Sequence, residues 1–208
     1  MDLSLDSSAG GVQEDALRRS IVHTALRLAE QAGSWDALHV HVVAREVGMS
    51  LEELRRYFGD KDAIAEGWFD FADTALLASS KQHGWRELPV RERLYRAIMA
   101  WLDTLAPHRK LVPGMLGYKL HPEHIHLQVR GVARISRTAQ WIRETAMLPS
   151  VGWRRELEEA VITTIYLTTF SRWVWDDSRG GESTRRLLKR LLAGAERGAL
   201  RLGFAAHP

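Results

Sequence analysis

The sequence predicts an all-α fold. Three observations carry this. Apolar residues recur at three- and four-residue spacing over long segments, and the period-two alternation of a half-buried strand is almost absent. Gly, Pro and Asp/Ser-rich breaks punctuate the periodic runs at helix-length intervals.

Taken in order, the first helix spans about Gln13 to Ala32, with Leu17, Ile21, Ala25, Leu28 and Ala29 on one face, and stops at Gly33. A shorter one, about Val40 to Val47, stops at Gly48. Ser50-Leu51-Glu52-Glu53 is a capping-box pattern, a hydroxyl cap with a Glu three residues on, and starts a third helix ending near Phe58. Gly59 breaks the chain and Asp60 can cap a fourth helix that runs through Ile64, Trp68, Phe71 and Leu76 to about Gln82. Pro89 suits the first turn of a helix from about Val90 to Leu105. Residues 106 to 122, with Pro107, Pro113, Gly114 and Pro122, predict one short helix. Long helices follow over about Glu123 to Met147 and Trp153 to Trp175. The turn DDSRGGEST then leads into a last helix, from Ser183 or Thr184 to about Leu202, for roughly nine helices in all.

The 208 residues are enough for one domain or two small ones, and 45% hydrophobic with 26% charged residues is ordinary for a globular chain. Without cysteine there is neither a disulfide framework nor a thiolate metal site, which fits a reducing cytoplasm. Residues 1–12, acidic and Gly/Ser-rich, lack the basic start and apolar run of a signal peptide and read as a disordered lead-in. No apolar run approaches the ~18 residues needed to span a bilayer. The net charge of +3 is unevenly spread. Between Gln13 and Glu66 seven basic residues face ten acidic ones, and residues 67 to 208 carry +8. The positive charge thus lies away from the segment that has the punctuation of a nucleic-acid reader.

That segment is residues 39 to 64. Two short helices joined by a turn at Gly48-Met49-Ser50 and stacked on a longer first helix form a helix-turn-helix, whose second helix lies in the DNA major groove. Val43, Ala44, Val47, Met49, Leu54, Phe58 and Ile64 supply a small core. The run VVAREVGMSLEELRRYFGDKDAI resembles the N-terminal signature of TetR-family transcriptional regulators, through Val43-Ala44, Gly48-Met49-Ser50, Leu54, Tyr57-Phe58, Lys61-Asp62 and Ile64. The resemblance implies a helix-turn-helix domain (residues 13–60) followed by a helical ligand-binding and dimerisation domain (61–208). It also implies a homodimer that binds a duplex DNA operator and a hydrophobic or amphipathic small molecule. His39, Arg45, Ser50, Leu51, Glu52, Arg55, Arg56, Tyr57 and Lys61 are the candidate DNA-contacting residues. Chemistry departs from the family where DNA is met. Leu51, Glu52 and Glu53 stand where small, basic or Gly/Thr residues are common, Arg55 stands at the position of a phosphate-contacting Tyr, and His39 at that of a capping Thr. Affinity for DNA rests mainly on cations meeting phosphates, so two glutamates on the reading helix oppose it, unless Glu53 serves the cap and Glu52 stands in solvent. A Glu can also accept from cytosine N4.

A second resemblance lies further on. TTIYLTTFSRWVWDDSRGGESTRRLLKRLL, through Trp173 to Ser178 and the following Thr-x-x-Leu-Leu spacing, is similar to Coq9-like proteins. These share the TetR fold but are lipid-binding accessory factors of ubiquinone biosynthesis, with a helix-turn-helix that does not read DNA. It implies an alternative function, a lipid-binding protein with peripheral membrane contact.

The second domain is rich in aromatic residues, the fabric of either a plain core or an apolar cavity with a few polar anchors. Trp101, Met115, Tyr118, Trp141, Tyr166 and Phe170 are the candidate lining, with His108 or His126 as anchor. His121, Glu123, His124 and His126 offer imidazole nitrogens, but their spacing across a helix start does not converge them on one ion, so neither a metal nor any other cofactor is expected. No nucleophile elbow, phosphate-cradling loop or carboxylate pair stands out, and the chain does not read as an enzyme. The last helix sets Arg185, Arg186, Lys189, Arg190, Arg197 and Arg201 beside a leucine stripe. It suits a dimer interface with a basic back, an anionic membrane surface, or a lid on the domain core.

Overall fold

The computed structural model describes residues 4–117 and 125–203, with side chains described for 10–117 and 131–203. Among the described residues there are nine α-helices and no strand: α1 (Ser4–Gln31), α2 (Val40–Glu46), α3 (Leu51–Tyr57), α4 (Lys61–Ser79), α5 (Val90–Leu105), α6 (Val112–Gly117), α7 (Ile125–Thr145), α8 (Trp153–Val174) and α9 (Glu182–Arg201). No described helix is long and apolar enough to cross a membrane.

The chain divides into two compact units, Met1–Asp70 with His108–Tyr118, and Phe71–Pro107 with Lys119–Pro208. The first therefore extends past the expected boundary at residue 60. The reason is burial: the first half of α4 places Ile64, Ala65 and Trp68 in the core with Ile21, Val22 and Leu26 of α1. Phe58 at the end of α3 packs so closely on α4 that a Cβ at Gly67 would stand 2.8 Å from its ring. Residues 108–117 join the same unit, with His108 edge-on to Trp68 at 6.1 Å between centroids and Gly114 so close to Trp35 that a Cβ added to it would stand 3.3 Å from the Trp35 Cβ.

Three details differ from the sequence pattern. Helix α1 begins at Ser4, inside the stretch expected to be a disordered lead-in. Gly10 and Gly11 each cost about 1 kcal/mol relative to Ala, but prolonging a stable helix backward needs no new nucleus. Pro89 stands at the N-cap of α5, one residue ahead of the first turn. Where one short helix is expected after α5, a 3-10 segment, Ala106–Leu111, precedes α6, and Pro113 occupies the first turn of α6, where its missing N–H is harmless.

In the second unit α7 packs on α8, α8 on α9, and α5 on α7 and α9. Its interior holds a polar cluster. Asp73 of α4, 6% exposed, accepts from Trp101 Nε1 (2.8 Å), from an Arg134 Nη (2.9 Å) and from Thr138 Oγ1 (3.1 Å). Satisfying the carboxylate three ways makes its burial tolerable, since an unpaired buried charge is strongly unfavourable.

Candidate nucleic-acid interface

The helix pair is set by short-range chemistry. Val47 ends α2, and Gly48 at φ +73° reverses the chain in the left-handed region that side chains with a Cβ avoid. Ser50 then caps α3. Its Oγ accepts from the Glu53 N–H at 3.1 Å, while its own N–H donates to Glu53 Oε2 at 2.7 Å, closing both halves of the capping box. Hydrogen bonding from Ser50 to the carboxylate, its backbone N–H first and then its side chain, holds the Glu53 carboxyl below its ordinary value. Ser50→Ala should cost about 1 kcal/mol of stability. Chemical denaturation reads this as a lower midpoint at unchanged slope, and an unshifted midpoint would show the cap to be redundant.

The remaining face of α3 is open. Leu51 is 53% exposed, Arg55 is exposed and Tyr57 half-buried. Glu52 accepts from Arg56 at 3.2 Å, an i, i+4 pair in which both side chains are more than 70% exposed. Such a pair contributes little to stability and is easily re-made with another partner. Arg45, in the last turn of α2, and Arg55 have no carboxylate within 4.0 Å among the described residues.

Two expected contacts take other roles. His39 occupies the N-cap of α2 with extended backbone but makes no side-chain cap, because its ring stacks on His41 at 5.5 Å. Lys61, expected to hold phosphate, donates from Nζ to the carbonyl oxygens of Trp35 and Asp36, at 3.3 Å each. It ties the start of α4 to the loop after α1. Asp60 caps α4, accepting from the Ala63 N–H at 2.7 Å. The frame is closed on its other side by Arg27–Glu46 at 2.6 Å and by Arg18 over the Phe58 ring at 5.1 Å. The Arg27–Glu46 and Lys61 ties join residues 19 to 26 positions apart, and no short-range pattern in the sequence marks them.

The candidate ligand-lining residues do not assemble in one place. Trp101, Tyr166 and Phe170 do meet in the second unit, with ring centroids 5.3–6.2 Å apart, and Trp173 adds a fourth ring. Trp101 and Tyr166 are buried, and Trp141 is 39% exposed on α7. Met115 and His108 belong to the first unit. There Met115 is buried, and His108 Nδ1 lies 2.8 Å from Glu30 Oε1 of α1. They are separated from the aromatic group because residues 108–117 double back onto the first unit. Tyr118, and the His121, Glu123 and His124 of the imidazole cluster, lie outside the described residues, as does the side chain of His126. Among the described residues no three His, Asp or Glu side chains gather closely enough to hold a metal ion.

Neither a family model nor a curated protein matches the chain. Among solved structures it is similar to the TetR transcriptional regulator from Nitrosomonas europaea ATCC 19718. The two are 42% identical over 88% of this chain and 99% of that one, with a TM-score of 0.77.

Proposed function

The chain belongs to the TetR family of transcriptional regulators, and from that premise we propose that it acts as a homodimer that grips an operator through α3. In this reading a hydrophobic or amphipathic small molecule held by the second unit tunes the grip. The observation that carries the DNA reading is the state of the two glutamates. Glu53 is held by the Ser50 cap and Glu52 pairs loosely with Arg56, so part of the negative charge on α3 is offset locally. Arg45 and Arg55 are left to approach phosphates, and Arg56 can exchange Glu52 for one. The lipid-accessory alternative rests on the Trp173 to Ser178 resemblance, with the two glutamates as added support.

The dimer reading rests on α8. Trp153, Leu157, Val161, Thr164, Thr168 and Trp175 are all exposed and recur at three-, four- and seven-residue spacing, which sets them along one face of the helix. Trp153 is 65% and Trp175 69% exposed, an arrangement a solitary chain seldom leaves in water. Ligand control then follows if the small molecule binds the two spacings of the paired reading heads with different affinity.

The test is a titration of random 30-base-pair duplex across salt. Wild-type protein should bind with micromolar affinity near ~50 mM salt, falling log-linearly as salt rises. Arg55→Ala and Arg45→Ala should each flatten that slope by about one unit. Lys61→Ala should leave the slope alone and lower the melting temperature, because its ammonium serves the fold. Absence of wild-type binding at low salt overturns the reading.

A further inference from the structure

The second unit contains a cavity of about 860 Å³, built from four chain segments that come together only in the fold. They are the first turns of α5, the α7–α8 linker, the first half of α8 and the last turns of α9. None of the aromatic residues singled out in the sequence lines it. Its walls are aliphatic, with Leu94, Ile162, Ile165 and Leu192 among them. The size and the apolar walls with few polar groups are those of a small-molecule site.

The polar groups in the lining are mostly paired. Arg91 holds Glu196 at 2.7 Å. Glu158 Oε1 accepts from Ser150 Oγ at 2.5 Å, while its Oε2, 3.6 Å from Arg143 Nε, makes no hydrogen bond. Arg93 is different. Its side chain is half-buried, its Nε is shielded from water with no hydrogen-bond acceptor, and an Nη reaches the Arg86 carbonyl only at 3.5 Å. No carboxylate among the described residues lies within 4.0 Å of it. A guanidinium taken partly out of water without an anion is in an unfavourable state that a carboxylate relieves, and its planar fork matches two carboxylate oxygens.

We infer that this cavity binds an amphipathic carboxylate, with its head on Arg93 and its alkyl chain against Leu94, Ile162, Ile165 and Leu192. The inference rests on the reading of the second unit as a ligand binder and names the place and the chemical class.

Calorimetric titration of the full-length protein, in the absence of DNA, with sodium decanoate, sodium octanoate and decan-1-ol tests it. Decanoate should bind. Octanoate, two methylenes shorter, should bind about tenfold more weakly. Decan-1-ol, which keeps the chain and lacks the charge, should bind roughly ten- to a hundredfold more weakly than decanoate. Arg93→Gln should bring decanoate and decan-1-ol to similar affinity. Ala195→Trp should weaken both by crowding the wall on which the alkyl chain lies, and it carries the test if Arg93→Gln does not fold by circular dichroism. The inference is overturned if wild-type protein ignores millimolar decanoate, or if Arg93→Gln keeps the preference for the acid. It is equally overturned if Ala195→Trp leaves decanoate affinity unchanged, including the case in which that substitution shifts the dimer equilibrium instead. A chain that grips duplex yet fails these titrations overturns this inference alone, because the DNA reading is judged by its own salt titration.

Discussion

Replacing Thr164 and Thr168 together by Arg should leave the protein monomeric and weaken operator binding with it. Both threonines are already exposed on α8, in line with Leu157, Val161 and Trp175, so the substitutions disturb no buried group of the isolated chain. In a dimer built on this face each Arg would meet its counterpart or be desolvated without an acid, and one partner-less buried charge costs about 3–5 kcal/mol. Two such charges per copy exceed what a face of a few aliphatic and aromatic side chains can offset. The consequence for DNA follows from linkage. A dimer engages two half-sites, and its second contact is effectively intramolecular, so losing it should weaken binding by about 10²–10⁴-fold with α3 untouched. Light scattering behind size exclusion reads the mass, and operator titration reads the affinity. A double variant that stays dimeric places the subunit contact on another surface. One that becomes monomeric and still binds operator at wild-type affinity removes the dimer from the mechanism.

What the sequence makes legible is whatever is local. The helix periods, the Gly48 turn and the Ser50–Glu53 box are decided within a few residues, and the structure has each of them. What it hides is whatever joins distant segments. Lys61 looks like a phosphate ligand at the start of a helix, and only folding brings the carbonyls of Trp35 and Asp36 to its ammonium. The aromatic spacing on α5 and α8 correctly unites Trp101, Tyr166 and Phe170. The prolines of 106–122 gave no sign that His108 and Met115 would turn back to the first unit. The cavity beside Arg93 is hidden for the same reason, since its four segments carry no motif of their own. Even the two glutamates, adjacent in sequence, diverge in role through a single hydrogen bond each.

The run Trp173 to Ser178 is the plainest case of a pattern whose work is structural, and it yields the largest expected loss of stability. Helix α9 begins at Glu182 after Gly181 in the left-handed region, one or two residues ahead of the expected hydroxyl start, and its N-cap offers no side-chain acceptor. Asp176 and Ser178 reach forward to replace it. Asp176 Oδ2 accepts from the Thr184 N–H (2.8 Å) and Oγ1 (2.6 Å), Oδ1 accepts from the Ser178 N–H (3.0 Å) and Oγ (2.6 Å), and Ser178 Oγ accepts from the Ser183 N–H (2.9 Å). Burial to 1% exposure pushes the Asp176 carboxyl up, but the hydrogen bonds from Ser178 and Thr184 outweigh it and hold the group well below the usual carboxylate range. Asp176→Asn presents an amide where donors converge, and at neutral pH should cost about 3 kcal/mol. For a chain of this length that is a fall of about 6–12 °C in melting temperature. The sign of the pH dependence follows from linkage. A carboxyl whose folded value is depressed contributes in full above its unfolded value, near ~3.9, and that contribution drains away as pH falls toward the folded value. The gap between wild type and Asp176→Asn should therefore be flat from about pH 5 to 8 and narrow below about pH 4. Thermal melts of the two proteins across that range decide it. A gap that holds steady into acid would mean that Asp176 is not the charged acceptor that starts α9.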